Sequence, residues 1–139
     1  MKWLIYALLA MVFFSVMVLI FKKLTIKGVQ PSLMLFLLFI CAALFYGLHV
    51  LVFSVKDRAA ITPSVMTLIF LAALLSYAGN LFQIKSIEAS PNPGFTIGIV
   101  SLQAVFIAIG SVLLFNSSFS SIKILGIVLA VIALVLLGI

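Results

Sequence analysis

Five long apolar runs, separated by short polar joints, account for most of the chain. The hydrocarbon core of a bilayer is crossed by roughly 20 apolar residues in helix. The runs fit that length, at about 3–21, 33–55, 65–84, 95–115 and 122–139. Lys22 and Lys23 stop the first run, Lys56, Asp57 and Arg58 the second, and Lys85 the third. Pro31 follows Gln30 and precedes Ser32, and Pro63 stands between Thr62 and Ser64. A proline beside hydroxyl capping groups is helix-start chemistry. Pro91, Asn92, Pro93 and Gly94 form a joint that no helix passes through, because two backbone donors are missing there. A short polar turn over 116–121 leads into the last run. The pattern predicts an all-α membrane protein of five transmembrane helices. Its loops are so short that successive helices neighbour each other antiparallel, and no soluble domain is expected. The first run is expected to stay as a helix, since it is long for a signal peptide and lacks a small-x-small cleavage site.

Composition narrows the function. Of 139 residues, 67% are hydrophobic and 7% charged, where a soluble domain carries about a quarter charged residues. The net charge of +6 comes from eight Lys and Arg against Asp57 and Glu88. These bases are scattered between apolar runs, so they read as membrane flanks and not as a nucleic-acid surface. The expected place is a cell membrane, plasma or inner, crossed several times. Cys41 and His49 stand alone in their types, and no acid lies within a span. A zinc site wants three or four His, Cys or acidic ligands. An intramembrane serine nucleophile wants a histidine and a glycine-flanked serine, and phosphate binding wants a glycine-rich loop. None of these is present, so neither enzyme activity, catalytic residue, metal nor cofactor is expected. The first span offers only Tyr6 and Ser15 as polar groups, so no buried carboxylate is available there to exchange protons for a cation.

The polar residues that remain follow helical spacing. Ser76, Asn80 and Gln83 share one face of the third span with Ala73. Thr96, Gln103 and Gly110 recur at seven-residue steps in the fourth, and Tyr46 and His49 stand three apart in the second. An amide in hydrocarbon costs several kcal/mol unless it is hydrogen-bonded, so these faces should turn inward. Any one of them suits interhelical packing, worth about 1 kcal/mol. The set of one Asn, two Gln and one His suits the lining of a solute path. His49 is either a hydrogen-bonded neutral imidazole or a proton-coupling group. Lys85 and Glu88 suit an interfacial ion pair. Small residues form a second pattern: Gly94, Gly98 and Ser101 in the fourth span, and Gly126, Ala130 and Ala133 in the fifth. Such stripes let helix backbones approach closely in a membrane.

The order of these elements resembles an EamA-type unit of the drug/metabolite transporter superfamily. The likeness is carried by WLIYALLA at 3–10, FKKL at 21–24 and GVQP at 28–31. In the second half it is carried by AGNLFQIK at 78–85, EASPNPG at 88–94 and the glycine-bearing last helix from Leu125. Two features depart from the family pattern. The stretch from Asn116 is NSSFSS where an acidic and basic turn is common, and Gln103 stands near the position of a frequent helix-four proline. More distantly, the single unit is similar to small multidrug resistance proteins, without the glutamate those carry in helix one.

The resemblance implies a transporter assembled from two five-helix units, rocking around a midplane site. Tyr46, His49, Ser76, Asn80, Gln83 and Gln103 are the candidates for binding substrate. A lining without fixed charge suits a neutral or zwitterionic small molecule. Two other readings stay open: a subunit of a lipid-linked sugar flippase, and a membrane partner that transports nothing. Lys2, Lys56, Arg58 and Lys123 fall on one side of the membrane, against Lys22, Lys23, Lys27 and Lys85 on the other. Loop lysines and arginines set orientation, and an even split favours neither. Dual topology and an antiparallel homodimer are expected, with Gly126, Ala130 and Ala133 in the contact. A heterodimer with a sister subunit of opposite orientation is the alternative.

Overall fold

The computed structural model describes residues 2–53, 61–116 and 121–138. It is all α-helical among these: α1 (Lys2–Ile26), α2 (Pro31–Val52), α3 (Pro63–Ala89), α4 (Pro93–Val100), α5 (Gln103–Phe115) and α6 (Ser121–Gly138). The joint at Lys56, Asp57 and Arg58 and most of the polar turn after Asn116 lie outside the described residues. Four stretches are long and apolar enough to cross a bilayer: Leu4–Ile26, Pro31–Val52, Pro63–Ala89, and Pro93–Phe115, which joins α4 to α5. In α6 the described apolar stretch is the shorter Ile124–Ala133. Almost every large apolar side chain along these helices is exposed, including Phe13, Phe45, Leu68 and Phe106. An aqueous protein does not present such a surface, so the fold is that of an all-α membrane protein.

Local chemistry explains where the helices begin and end. α1 runs one turn past Lys22 and Lys23. It closes on Gly28, whose φ of 80° is the left-handed conformation that glycine adopts without penalty. Gly28 N–H donates to Thr25 O at 2.9 Å and Val29 N–H to Leu24 O at 3.1 Å, a paired closure that satisfies the last carbonyls. Pro31 and Pro63 occupy the first positions of α2 and α3, where a missing N–H costs nothing. Thr62 Oγ1 accepts from Val65 N–H at 3.4 Å, so it serves as the expected hydroxyl cap. Before α4, Asn92 Oδ1 accepts from Gly94 N–H at 2.8 Å. A Cβ on Gly94 would come within 3.1 Å of that oxygen, so glycine suits the close approach. Asn116 ends α5 in the left-handed region at φ 49°.

The chain forms two compact units, residues 1–88 and 89–139. In the first, the buried apolar side chains are Val18, Phe21, Met34, Leu35, Ile84 and Ile87. They come from the end of α1, the start of α2 and the end of α3, so α2 runs opposite to α1 and α3. Lys22 Nζ fixes this arrangement by donating to Ile87 O at 3.0 Å and Glu88 O at 3.2 Å. Those are carbonyls at the C-terminus of α3, where the helix dipole is negative and a cation is favoured. In the second unit α4 packs against α6.

Candidate functional site

The polar stripe of α3 is present and internally bonded. Asn80 Nδ2 donates to Ser76 O at 2.8 Å and to Ser76 Oγ at 3.1 Å, one turn back along the same helix. The amide thereby meets its donor requirement without a partner helix, and its oxygen is left to accept from another group. Asn80 and Gln83 are half-buried, whereas Ser76 is exposed. Ser76 lines an open groove of about 530 Å³ between α2 and α3. Its α2 wall is Ser32, Leu35, Phe36, Phe39, Ile40 and Ala43, and its α3 wall is Ala73, Ser76, Tyr77 and Leu81.

Tyr46 and His49 lie on α2 beyond that groove and are exposed. The His49 ring packs against Phe53 with centroids 4.7 Å apart and the planes tilted by 36°. The helical rise separates this pair from the amides. Tyr46 and His49 lie about 4 and 9 Å past Ala43, toward the loosely packed end of the unit. Asn80 and Gln83 lie about 10 and 15 Å past Ala73, toward the packed end. Within the first unit, Ser76 and Asn80 are brought together, while Tyr46 and His49 stand about 15 Å or more from the amides along the helix axes.

Gln103 belongs to the second unit, at a feature that periodicity does not reveal. The fourth span tightens at Ser101 and Leu102, between α4 and α5, with both residues still in the right-handed helical region. Leu102 N–H donates to Ile99 O at 3.0 Å, Ala104 N–H to Ser101 O at 3.1 Å and Val105 N–H to Leu102 O at 3.0 Å. These are tightened three-residue steps in place of the four-residue steps of an α-helix. Ser101 Oγ donates to Ile97 O at 2.8 Å, the back-bonding that bends helices. Gln103 is the first residue of α5 and is exposed, immediately after the tightened step. Thr96, a turn into α4, is buried. On α6, Gly126, Ala130 and Ala133 are exposed, and a Cβ added to Gly126 would touch nothing within 4 Å. Among the described residues no group of His, Cys, Asp and Glu could hold a metal.

The structure adds Ser32 and Tyr77 to the polar groups that sequence spacing singles out. Both are hydroxyl residues on the groove walls. Tyr77 stands four residues from Ala73 and four from Leu81, so the same helical spacing carries its signal.

The EamA-like transporter family matches this chain over residues 1–139. No curated protein and no solved structure matches it.

Proposed function

The chain belongs to the EamA-like transporter family, membrane transporters of the drug/metabolite type, and from that premise we propose that it is half of a two-unit carrier. Its cargo in this reading is a small neutral or zwitterionic metabolite, moved by alternating access across the plasma or inner membrane of its cell. The observation that carries the proposal is the tightened 3₁₀ step at Ser101 and Leu102. Ser101 lies about 12 Å along a span that starts at Pro93, close to membrane mid-depth. The backbone stays right-handed helical at Ser101 (φ −63°, ψ −17°) and Leu102 (φ −58°, ψ −20°), so this is a short 3₁₀ step within one continuous span, a feature that marks hinges in helices. In the second unit Gln103 presents an amide at that point; in the first, taken by itself, Asn80 is bonded to Ser76 and offers an acceptor oxygen. Amides and hydroxyls bind uncharged polar groups and a zwitterion's ends without holding an ion permanently. The exposed small-residue face of α6 supports a contact with a second unit, and the even lysine distribution supports an antiparallel copy. Purified protein in liposomes should show saturable exchange of a labelled neutral or zwitterionic metabolite, lost in Gln103→Leu. Exchange that survives both Gln103→Leu and Asn80→Leu would remove these residues from the site.

A further inference from the structure

We propose that the groove between α2 and α3 holds one acyl chain of an anionic phospholipid, with the headgroup phosphate on Lys85. The groove runs from Ser32 to Ala43 on one wall, about 16 Å of helix. A single leaflet of hydrocarbon is about 15 Å deep, half of the bilayer core. The α2 wall is therefore about as long as one leaflet is thick, and the α3 wall, from Ala73 to Leu81, covers about 12 Å of it. Beyond Ser32, Ser76 and Tyr77 its walls are entirely apolar, which suits an acyl chain and not a polar solute.

The groove's α3 wall then continues into a charge. Ala73, Tyr77 and Leu81 recur every four residues, and the next step of that stripe is Lys85, which is exposed. On the other wall the groove begins at Ser32, the second residue of α2, five residues after exposed Lys27. Lys22, Lys23, Lys27 and Lys85 all belong to this end of the unit, and Glu88 is the acid there, leaving an excess of three positive charges. Glu88 stands three residues further along α3, about 4–5 Å farther from the groove than Lys85. A phosphate at the depth of Lys85 thus meets the cation before it meets the carboxylate. Lys85, the cation that the Ala73, Tyr77 and Leu81 stripe runs into, selects an anionic headgroup over a zwitterionic one. A basic side chain near the surface shifts anionic lipid affinity by about five-fold.

The test is lipid retention by the intact chain, independent of any transport activity. Protein in detergent is equilibrated with equimolar phosphatidylglycerol and phosphatidylcholine of one chain length, and retained lipids are counted by native mass spectrometry. Phosphatidylglycerol should be preferred about five-fold, and Lys85→Gln should remove most of that preference. Lys23→Gln, on α1 and off the groove walls, should keep it. Ala73→Phe or Ala43→Phe, which fill the groove from opposite walls, should each lower the number of retained lipids. No preference in the unmodified protein overturns the proposal, and so does a groove sealed by a second copy that retains neither lipid. Equal losses from Lys23→Gln and Lys85→Gln overturn it too, since they would reduce it to general surface charge. Unchanged retention in both groove-filling variants would do the same.

Discussion

Lys22 and Ile87, 65 residues apart in the chain, are joined by a 3.0 Å hydrogen bond from the ammonium to the carbonyl oxygen. The bond ties α1 to the free carbonyl end of α3 and holds the packed end of the first unit closed. A charged donor on a partly buried carbonyl is worth about 1.5–3 kcal/mol. Lys22→Gln should therefore lower stability by about 1–2 kcal/mol, since the shorter amide leaves part of the contact unmade. Exposed Lys23→Gln should change it by under about 0.5 kcal/mol. Thermal unfolding of both variants in one detergent measures the difference.

Asn80→Leu removes two hydrogen bonds that lie within α3, so the cost to folding should be about 0.5 kcal/mol and the protein should assemble normally. Gln103→Leu, at an exposed helix start, should be equally mild. Both should abolish exchange of the true substrate. Size-exclusion profiles run beside the transport assay separate the outcomes. Failure of both variants to assemble would make these residues packing groups.

The His49 ring packs against Phe53, so His49→Phe should keep that contact and assemble normally, while His49→Ala should lower thermal stability by about 0.5–1 kcal/mol, read by unfolding in one detergent.

The helices were legible because hydrophobic length and proline position are local signals. Pro31, Pro63 and Pro93 stand at helix starts, whereas α1 runs past the lysines expected to stop it and closes on Gly28. The 3₁₀ step at Ser101 and Leu102 was not legible. Neither residue is glycine or proline, and the run from Phe95 to Phe115 stays apolar straight through it. A serine bonded back to Ile97 is no signal by itself, since Ser15 makes the same bond to Met11 and Ser111 to Ile107 in helices that run on unchanged. The Lys22 contact was hidden for another reason: a pairing across 65 residues leaves no periodic trace. The stripe of Ser76 and Asn80 was visible as spacing, but spacing could not tell a face turned to a neighbour from one bonded to itself. Lys85 and Glu88 suggested an ion pair, whereas the cation that closes α3 is Lys22.

Topology can be examined without knowing the substrate. The even division of lysine and arginine predicts that reporters fused at the C-terminus, one active inside and one outside, both give signal. Two lysines added to one side should make the population uniform and reduce activity. A single orientation in the unmodified, active protein would exclude the antiparallel homodimer.

The most direct measurement is counterflow in liposomes containing this chain alone, preloaded with unlabelled neutral amino acids or sugars and challenged with the labelled compound. A two-unit carrier with an amide-lined site predicts transient, saturable accumulation of at least one neutral or zwitterionic solute, absent in Gln103→Leu. No accumulation of any such solute by folded protein in correctly sealed vesicles would contradict it.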